Sequence, residues 1–333
     1  MTRREVIKQG SLAVLSTTLP NSLIGFTKFN VMEKNKNFEV IIIGGSYAGL
    51  SAAMALGRSL RNVLIIDSGK PCNIQTPHSH NFLTQDGKTP KEISTIAKQQ
   101  VEQYNTVSFL NDLAINGRKT PLGFEIKTEN KKVFTAKKII LATGVQDKMP
   151  NIKGFSECWG ISVIHCPYCH GYEHKAVKTA LIANGERAFH MAPLINNLTE
   201  DLTILTNGSM DFEESQIKKL KAHNIEAIEK EILELEHHNG YIEKIVFKDG
   251  SKENFLAAYA AIPFEQHTSI PFDLECELTE QGHIKVDFFQ QTTVDGVFAC
   301  GDNSSPMRSV AYAVATGNIA GAMVNKELSS EQF

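Results

Sequence analysis

Two hydrophobic periods organise this chain. Glu39-Val40-Ile41-Ile42-Ile43 is continuous, β-branched and closed by Gly44-Gly45, the pattern of a parallel strand buried on both faces. The small-residue stretch from Ala48 to about Leu60 predicts a helix, and Val63-Leu64-Ile65-Ile66-Asp67 predicts the next strand, completing a βαβ unit. Thr89 to Tyr104 reads as a polar helix. Residues 106–136 read as strands and turns punctuated by Gly117 and Gly123, and Lys138 to Gly144 as a buried strand ending in a tight turn.

A second βαβ unit follows: strand Thr179 to Ile182, a crossover helix near Ala188 to Asn196, and strand Leu202 to Leu205. A helix from Glu213 to His223 comes next, then strands Ile228 to His237 and Tyr241 to Lys248, with turns at Gly240 and Asp249-Gly250. A short strand, Gly296 to Cys300, and a helix from about Met307 to Leu328 close the chain. This order predicts an α/β fold of two doubly wound, nucleotide-binding (Rossmann-like) domains, the second inserted into the first. The expected division is 37–152 with 283–333 for the first domain and 153–282 for the inserted one.

Length agrees, since 333 residues suit two domains of about 150 each. A net charge of −3 without a basic run argues against nucleic acid or an acidic membrane surface as partner. No apolar run reaches the ~20 residues of a transmembrane helix. Thr2-Arg3-Arg4-Glu5-Val6-Ile7-Lys8, followed by the mildly apolar Gly10 to Leu19, looks like a twin-arginine export signal. The expectation is a signal within residues 1–35 and a periplasmic or exported protein; the alternative is a plain extension on a cytoplasmic one.

The six cysteines are too sparse for a disulfide scaffold. Cys166 and Cys169 form a single CxxC, a spacing that can close a small, easily reduced disulfide. Zinc usually wants a second ligand cluster. His165, His170 and His174 flank the pair, but no such cluster stands out and no metal site is predicted. His165 and His174 are expected as surface or packing residues. Cys72, Cys158, Cys276 and Cys300 are expected as buried hydrophobes, and Trp159, Phe288 and Phe289 as packing.

Gly44-Gly45-Ser46-Tyr47-Ala48-Gly49 occupies a phosphate-binding turn, where amides at a helix start face a pyrophosphate. Gly44 and Gly49 hold the first and third places of G-x-G-x-x-G, with Ser46 at the middle one. Asp67 ends the next strand, where a ribose-binding carboxylate belongs. Thr143-Gly144 and Gly301-Asp302 each follow a strand. A Gly-Asp turn can set a carboxylate on ribityl hydroxyls, with the next helix aimed at a flavin ring.

From about 38 to 328 the chain resembles the thioredoxin reductases of low molecular weight. The resemblance rests on Gly44 to Gly49, Asp67, Ala142-Thr143-Gly144, Cys166-x-x-Cys169, Gly301-Asp302, Arg308-Ser309-Val310 and Ala315-Thr316-Gly317. It implies bound FAD, a homodimer, and a small dithiol or disulfide, or a thioredoxin-like protein, as partner. Cys169 would face the flavin and Cys166 would exchange with the partner's sulfur. Gly44, Ser46, Tyr47, Ala48, Gly49, Asp67, Asn81, Thr143, Gly144, Gly301, Asp302, Arg308, Ser309 and Val310 would bind the cofactor.

Two departures bear on mechanism. The second dinucleotide turn reads Ala183-Asn184-Gly185-Glu186-Arg187-Ala188, without its first glycine. The strand after it ends in Thr206-Asn207-Gly208, with no basic cluster for a 2′-phosphate. NAD(P)H use is therefore left open. The second departure is His170, where the family carries an aspartate. Cys-Pro-Tyr-Cys-His-Gly-Tyr-Glu, with His80-Asn81-Phe82-Leu83-Thr84 upstream, is similar to the gliotoxin-type dithiol oxidases. An imidazole there can take a thiol proton, so Cys166, Cys169 and His170 are the expected catalytic residues. The expected function is FAD-dependent dithiol–disulfide exchange in either direction. The alternatives are an NAD(P)H-dependent thioredoxin reductase with an altered nucleotide site and a flavin redox sensor without turnover.

Overall fold

The computed structural model describes residues 36–333, and the stretch read as an export signal lies outside the described residues. The chain opens with β1 (Asn37–Ile43), α1 (Tyr47–Arg58) and β2 (Val63–Asp67), then α2 (Pro90–Glu102) and β3 (Val107–Asn111). β4 (Ala114–Thr120), β5 (Gly123–Thr128) and β6 (Val133–Leu141) follow. Val40, Ile41 and Ile42 are fully buried because β1 lies mid-sheet, parallel to β2 on one side and β6 on the other. α2 begins at a capping box between Thr89 and Glu92, with Pro90 in its first turn. Gly117, expected as a turn, lies inside β4. A Cβ there would come 3.0 Å from Ile270 Cγ2, so the glycine makes room for packing.

β7 (Val145–Asp147) leaves this sheet and leads to α3 (Phe155–Cys158), β8 (Val163–Ile164), and α4 (Pro167–His170), which carries the CxxC pair. β9 (Thr179–Ile182), α5 (Gly185–Asn196), β10 (Leu202–Leu205), α6 (Glu214–Ala222) and β11 (Glu226–Ile228) build the second parallel sheet. Its strand order is β11-β10-β9-β15-β8, once β15 (Ala257–Ala260) is added. The expected strand from Ile228 to His237 is two strands. β11 ends at Ile228, and β12 (Ile232–His238) joins an antiparallel trio with β13 (Tyr241–Phe247) and β14 (Lys252–Asn254). The break is fixed by side chains: Asn207 Oδ1 accepts from the Ile232 amide, and Glu229 accepts from the Met210 amide.

The chain returns through β16 (Phe264–Gln266), which pairs antiparallel with β7. The two crossings between the sheets therefore lie side by side. α7 (Ile270–Asp273) packs on β4, and β17 (Val297–Ala299) joins β6. The last helix, α8 (Val310–Gln332), begins three residues later than expected. Pro306 interrupts the approach, and the Ser309 side chain caps the helix by accepting from the Tyr312 amide. α8 lies directly on α1, with Gly317 and Gly321 against its backbone. A Cβ on Gly317 would come 2.1 Å from Ala48 O. Among the described residues no helix is long and apolar enough to cross a membrane.

The close contact of α1 and α8 gives the first prediction. Gly317→Ala forces the helices apart and is expected to cost about 1–3 kcal/mol. Thermal unfolding of the cofactor-loaded protein reads it, and an unchanged melting temperature would show that the contact yields freely.

Candidate functional site

The C-terminal ends of β1, β2, β6 and β17 open onto a cavity of about 860 Å³, whose far wall includes Cys169 and His170 of α4. This is the crevice where open α/β sheets take ligands. Gly44, Ser46, Tyr47, Ala48, Asp67, Thr143, Gly144, Gly301, Asp302, Arg308, Ser309 and Val310 all line it. Gly49 lies beneath: its missing Cβ would come 1.9 Å from Gly44 O, so it lets the helix start sit on the turn. The structure does not bring Asn81 to the cavity. That residue is exposed, has φ 58°, and its amide donates to Asp86 Oδ1 at 2.8 Å.

The residues present fit a flavin dinucleotide. Gly44 has φ +104° and no room for a side chain, since a Cβ would meet Ala142 O at 2.2 Å. Ser46 makes no side-chain cap to α1, leaving its hydroxyl and the first amides facing the cavity. Asp67 accepts from the amides of Gly45 at 3.0 Å and Gly69 at 3.2 Å, which braces the turn at the strand end. Burial pushes the Asp302 carboxyl up, and the Arg308 guanidinium pulls against it. Asn303, not singled out in the sequence, is fully buried. Its amide donates to Leu141 O at 2.9 Å and Thr143 Oγ1 at 3.2 Å, tying the Gly-Asp turn to the Thr-Gly turn.

Cys166 and Cys169 are disulfide-bonded, with Cα atoms 5.3 Å apart. The two sulfurs differ in setting. Cys169 lines the cavity, with Sγ 3.8 Å from Arg308 O, whereas Cys166 does not line it. Cys166 caps α4, and its Sγ accepts from the Cys169 amide at 3.2 Å. Burial, then the nearby His80, push His170 down to about 4, while Glu173 pulls the other way. The imidazole is thus neutral at pH 7, and the same burial makes it a weaker proton acceptor than an ordinary imidazole. His80 packs edge-on to it at 6.3 Å between ring centroids, and its Nδ1 is 3.5 Å from Glu173 Oε1.

Several expectations need correction. Cys158, Cys276 and Cys300 are buried, but Cys72 opens onto the cavity. Its surroundings are still dense enough for burial to push the thiol up to about 11. His165 lines the cavity too, and burial pushes it down to about 4, aided by the Arg308 charge. Phe288 and Phe289 meet edge to face and are exposed. Trp159 packs on Phe155 as expected, but its Nε1 also donates to Asp147 Oδ2 at 3.2 Å. Asp147 went unnoticed in the sequence because a lone aspartate after a tight turn carries no motif. Glu173 and His80 stood inside quoted runs, without an assigned role.

The pyridine nucleotide-disulphide oxidoreductase family model matches residues 38–317. The chain is 33% identical over 313 residues to the thioredoxin reductase tcpT of Claviceps purpurea, covering 90% of this chain and 97% of that protein. It is similar to the solved oxidoreductase from Agrobacterium tumefaciens, with TM-score 0.83 and 37% identity over 88% of this chain and 99% of that one. A putative thioredoxin reductase TrxB from Bacillus anthracis gives TM-score 0.84 at 30% identity over 89% and 100%.

The two depressed imidazoles set a pH dependence. Unfolded histidines take up protons near the ordinary imidazole value of about 6.5, whereas His165 and His170 stay neutral to about 4. Their contribution to stability is complete above 6.5 and is lost as pH falls from there towards 4. Denaturant unfolding at pH 7.5 and pH 5 reads the loss. It should shrink when both are replaced by Gln, and an equal loss in that double variant would overturn the assignment.

Proposed function

We propose that this chain, which belongs to the pyridine nucleotide-disulphide oxidoreductase family and is a flavin-dependent thiol–disulfide oxidoreductase, oxidises a small dithiol without using a nicotinamide nucleotide. The observation that carries this reading is the second dinucleotide turn. Asn184 Oδ1 accepts from the amides of Gly185 at 2.8 Å and Asp211 at 2.9 Å, and Asn184 Nδ2 donates to Ser209 O at 2.8 Å. The amide that would meet a pyrophosphate is already paired. The Asp211 carboxylate sits 3.3 Å from where a Gly185 Cβ would be, and Glu186 lies in the first turn of α5. Negative charge at a helix start opposes a second anion there. The first turn, with Ser46 uncommitted, has the opposite character.

The chemistry follows from the two sulfur environments. A substrate thiol gives its proton to neutral His170, and the thiolate attacks Cys166 Sγ. The Cys166–Cys169 bond breaks, and its electron pair leaves on Cys169, at the cavity wall. The second substrate thiol loses its proton to solvent and attacks the mixed disulfide at the substrate sulfur. The substrate disulfide closes and Cys166 leaves as a thiolate, which is reprotonated from His170. Two electrons and two protons have left the substrate, and the protein holds the electrons as a reduced pair. The residues of the first turn and Asp302 would hold FAD, which when bound would supply a two-electron acceptor for the reduced pair, with molecular oxygen as the final oxidant. Cys-Pro-Tyr-Cys-His-Gly-Tyr-Glu supports this direction through its resemblance to dithiol oxidases. The twin-arginine motif supports export to a compartment where NADPH is not supplied.

Two experiments test the reading. Mixed anaerobically with NADPH, NADH and then dithiothreitol, the yellow protein should lose flavin absorbance only with the dithiol and recover it in air. Fast bleaching by a nicotinamide would overturn the proposal and favour a thioredoxin reductase, the name its relatives carry. His170→Gln should slow bleaching by dithiol about 100-fold or more at pH 7. Its rate should then climb about tenfold per pH unit towards the thiol's own pKa, as a reaction limited by thiolate does. A variant with the flat profile expected of the wild type would remove His170 as the base.

A further inference from the structure

Asp147 stands between the two crossings of the chain and binds both sides. One side is Arg308, on the loop that leads into α8 and lines the flavin cavity. Its Nη1 and Nη2 donate to Asp147 Oδ1 at 2.7 Å and Oδ2 at 3.0 Å, a two-point pair. The other side is Trp159, between α3 and β8, whose Nε1 donates to Asp147 Oδ2. Asp147 itself lies on β7, locked by β16 through the Asp147–Phe264 register. The ion pair is well shielded, with side-chain exposures of 15% for Arg308 and 8% for Asp147. Arg308 turns its carbonyl towards Cys169 Sγ at 3.8 Å, and its guanidinium also reaches Asp302 Oδ2 at 3.4 Å. One arginine thus touches the redox sulfur, the ribityl-side carboxylate and, through Asp147, the indole of the disulfide-bearing domain.

We propose that Asp147 is a positioning residue for thiol–disulfide exchange: by clasping Arg308 and Trp159 at once, it holds Cys169 against the flavin cavity throughout turnover. The inference rests on the dithiol-oxidase reading, because a protein that takes no nicotinamide has no need to swing its disulfide aside to admit one. Asp147 does not touch the reacting sulfurs. It acts through Arg308, whose carbonyl does, and through Trp159, which anchors the segment leading to α4. Both sulfur environments persist while the clasp is shut, with Cys169 at the cavity and Cys166 away from it.

Trp159 is the single tryptophan of the chain, so its fluorescence reports on the clasp directly. In Asp147→Asn the charge is lost at constant size. The expected result is a red-shifted Trp159 emission in both cofactor-free and cofactor-loaded protein. Anaerobic flavin reduction by dithiothreitol should slow about 10- to 100-fold, the effect of displacing reacting groups by about an ångström. Trp159→Phe keeps the stacking on Phe155 and removes only the N–H donor. It should slow the same step in a protein that still binds FAD, while mixed-disulfide formation at Cys166 with an aromatic disulfide reagent, after prior reduction, keeps its rate. Unshifted emission in Asp147→Asn together with unchanged reduction rates in both variants would overturn the clasp, whatever the nucleotides do. Rapid bleaching of the wild type by NADPH would instead overturn the functional reading, and the emission of Asp147→Asn would still decide the clasp.

Discussion

Arg308 is a charge that the fold has taken out of water, and the site is arranged around that fact. Burial works against its positive charge, yet the two-point bond to Asp147 and the nearby Asp302 hold its pKa above the ordinary arginine value. A buried ion pair of this kind is weak evidence for net stability, because desolvation of both groups offsets much of the attraction. Breaking it is another matter, since one partner is then left charged and unpaired. The pair therefore contributes more to geometry than to stability. It permits few arrangements of the loop before α8 relative to β7, and that loop carries Asp302, Arg308 and Ser309 along the cavity wall. The same restriction fixes Cys169, whose sulfur rests on the Arg308 carbonyl.

The fold was legible where residues act on their neighbours in sequence. Val40 to Ile43 must form a strand buried on both sides, and Gly44 must turn it, whatever lies elsewhere. Thr89 and Glu92 cap their helix within four residues. Cys169, His170 and most of the expected cofactor residues line one cavity, because turns at strand ends converge on one edge of a sheet. Local reasoning failed where the deciding partner is distant. Asp147 meets an arginine 161 positions away, and nothing beside it in the chain signals this. Cys72 and His165 have ordinary surroundings in sequence, and only the path of the loop shows that they open onto the cavity. Asn81 failed in the opposite way. It sits inside a family-like run, but its left-handed backbone and the bond from its amide to Asp86 turn it to the surface.

The two dinucleotide turns show how one supersecondary unit is made to do different work. Each joins a buried strand to a helix and has a glycine of positive φ, Gly44 in one and Gly185 in the other. At the first, the residue before the helix is Ser46, which leaves the helix start uncapped by side chains. At the second it is Asn184, whose amide group bonds to Gly185, Asp211 and Ser209 and completes the turn by itself. A helix start has only a few amides to offer. Once a side chain satisfies one of them and a carboxylate stands alongside, an incoming pyrophosphate must displace the first and approach the second. The second sheet thus keeps the architecture of a nucleotide domain, while its turn is organised for its own packing.

That division suits a disulfide whose two sulfurs face different ways. A reductase fed by a nicotinamide needs a further partner at the flavin, the nucleotide that supplies its electrons. On the proposed reading only two exchanges are needed at the protein, one at each sulfur of the pair at the start of α4. On that reading Cys166 would meet the substrate, and Cys169 would pass the electron pair to the cavity it already lines. On this reading, movement would be a disadvantage, because each excursion would lift Cys169 from the Arg308 carbonyl and open a shielded ion pair. A neutral His170 fits the same economy of motion, since it can take a thiol proton at neutral pH without first losing one of its own.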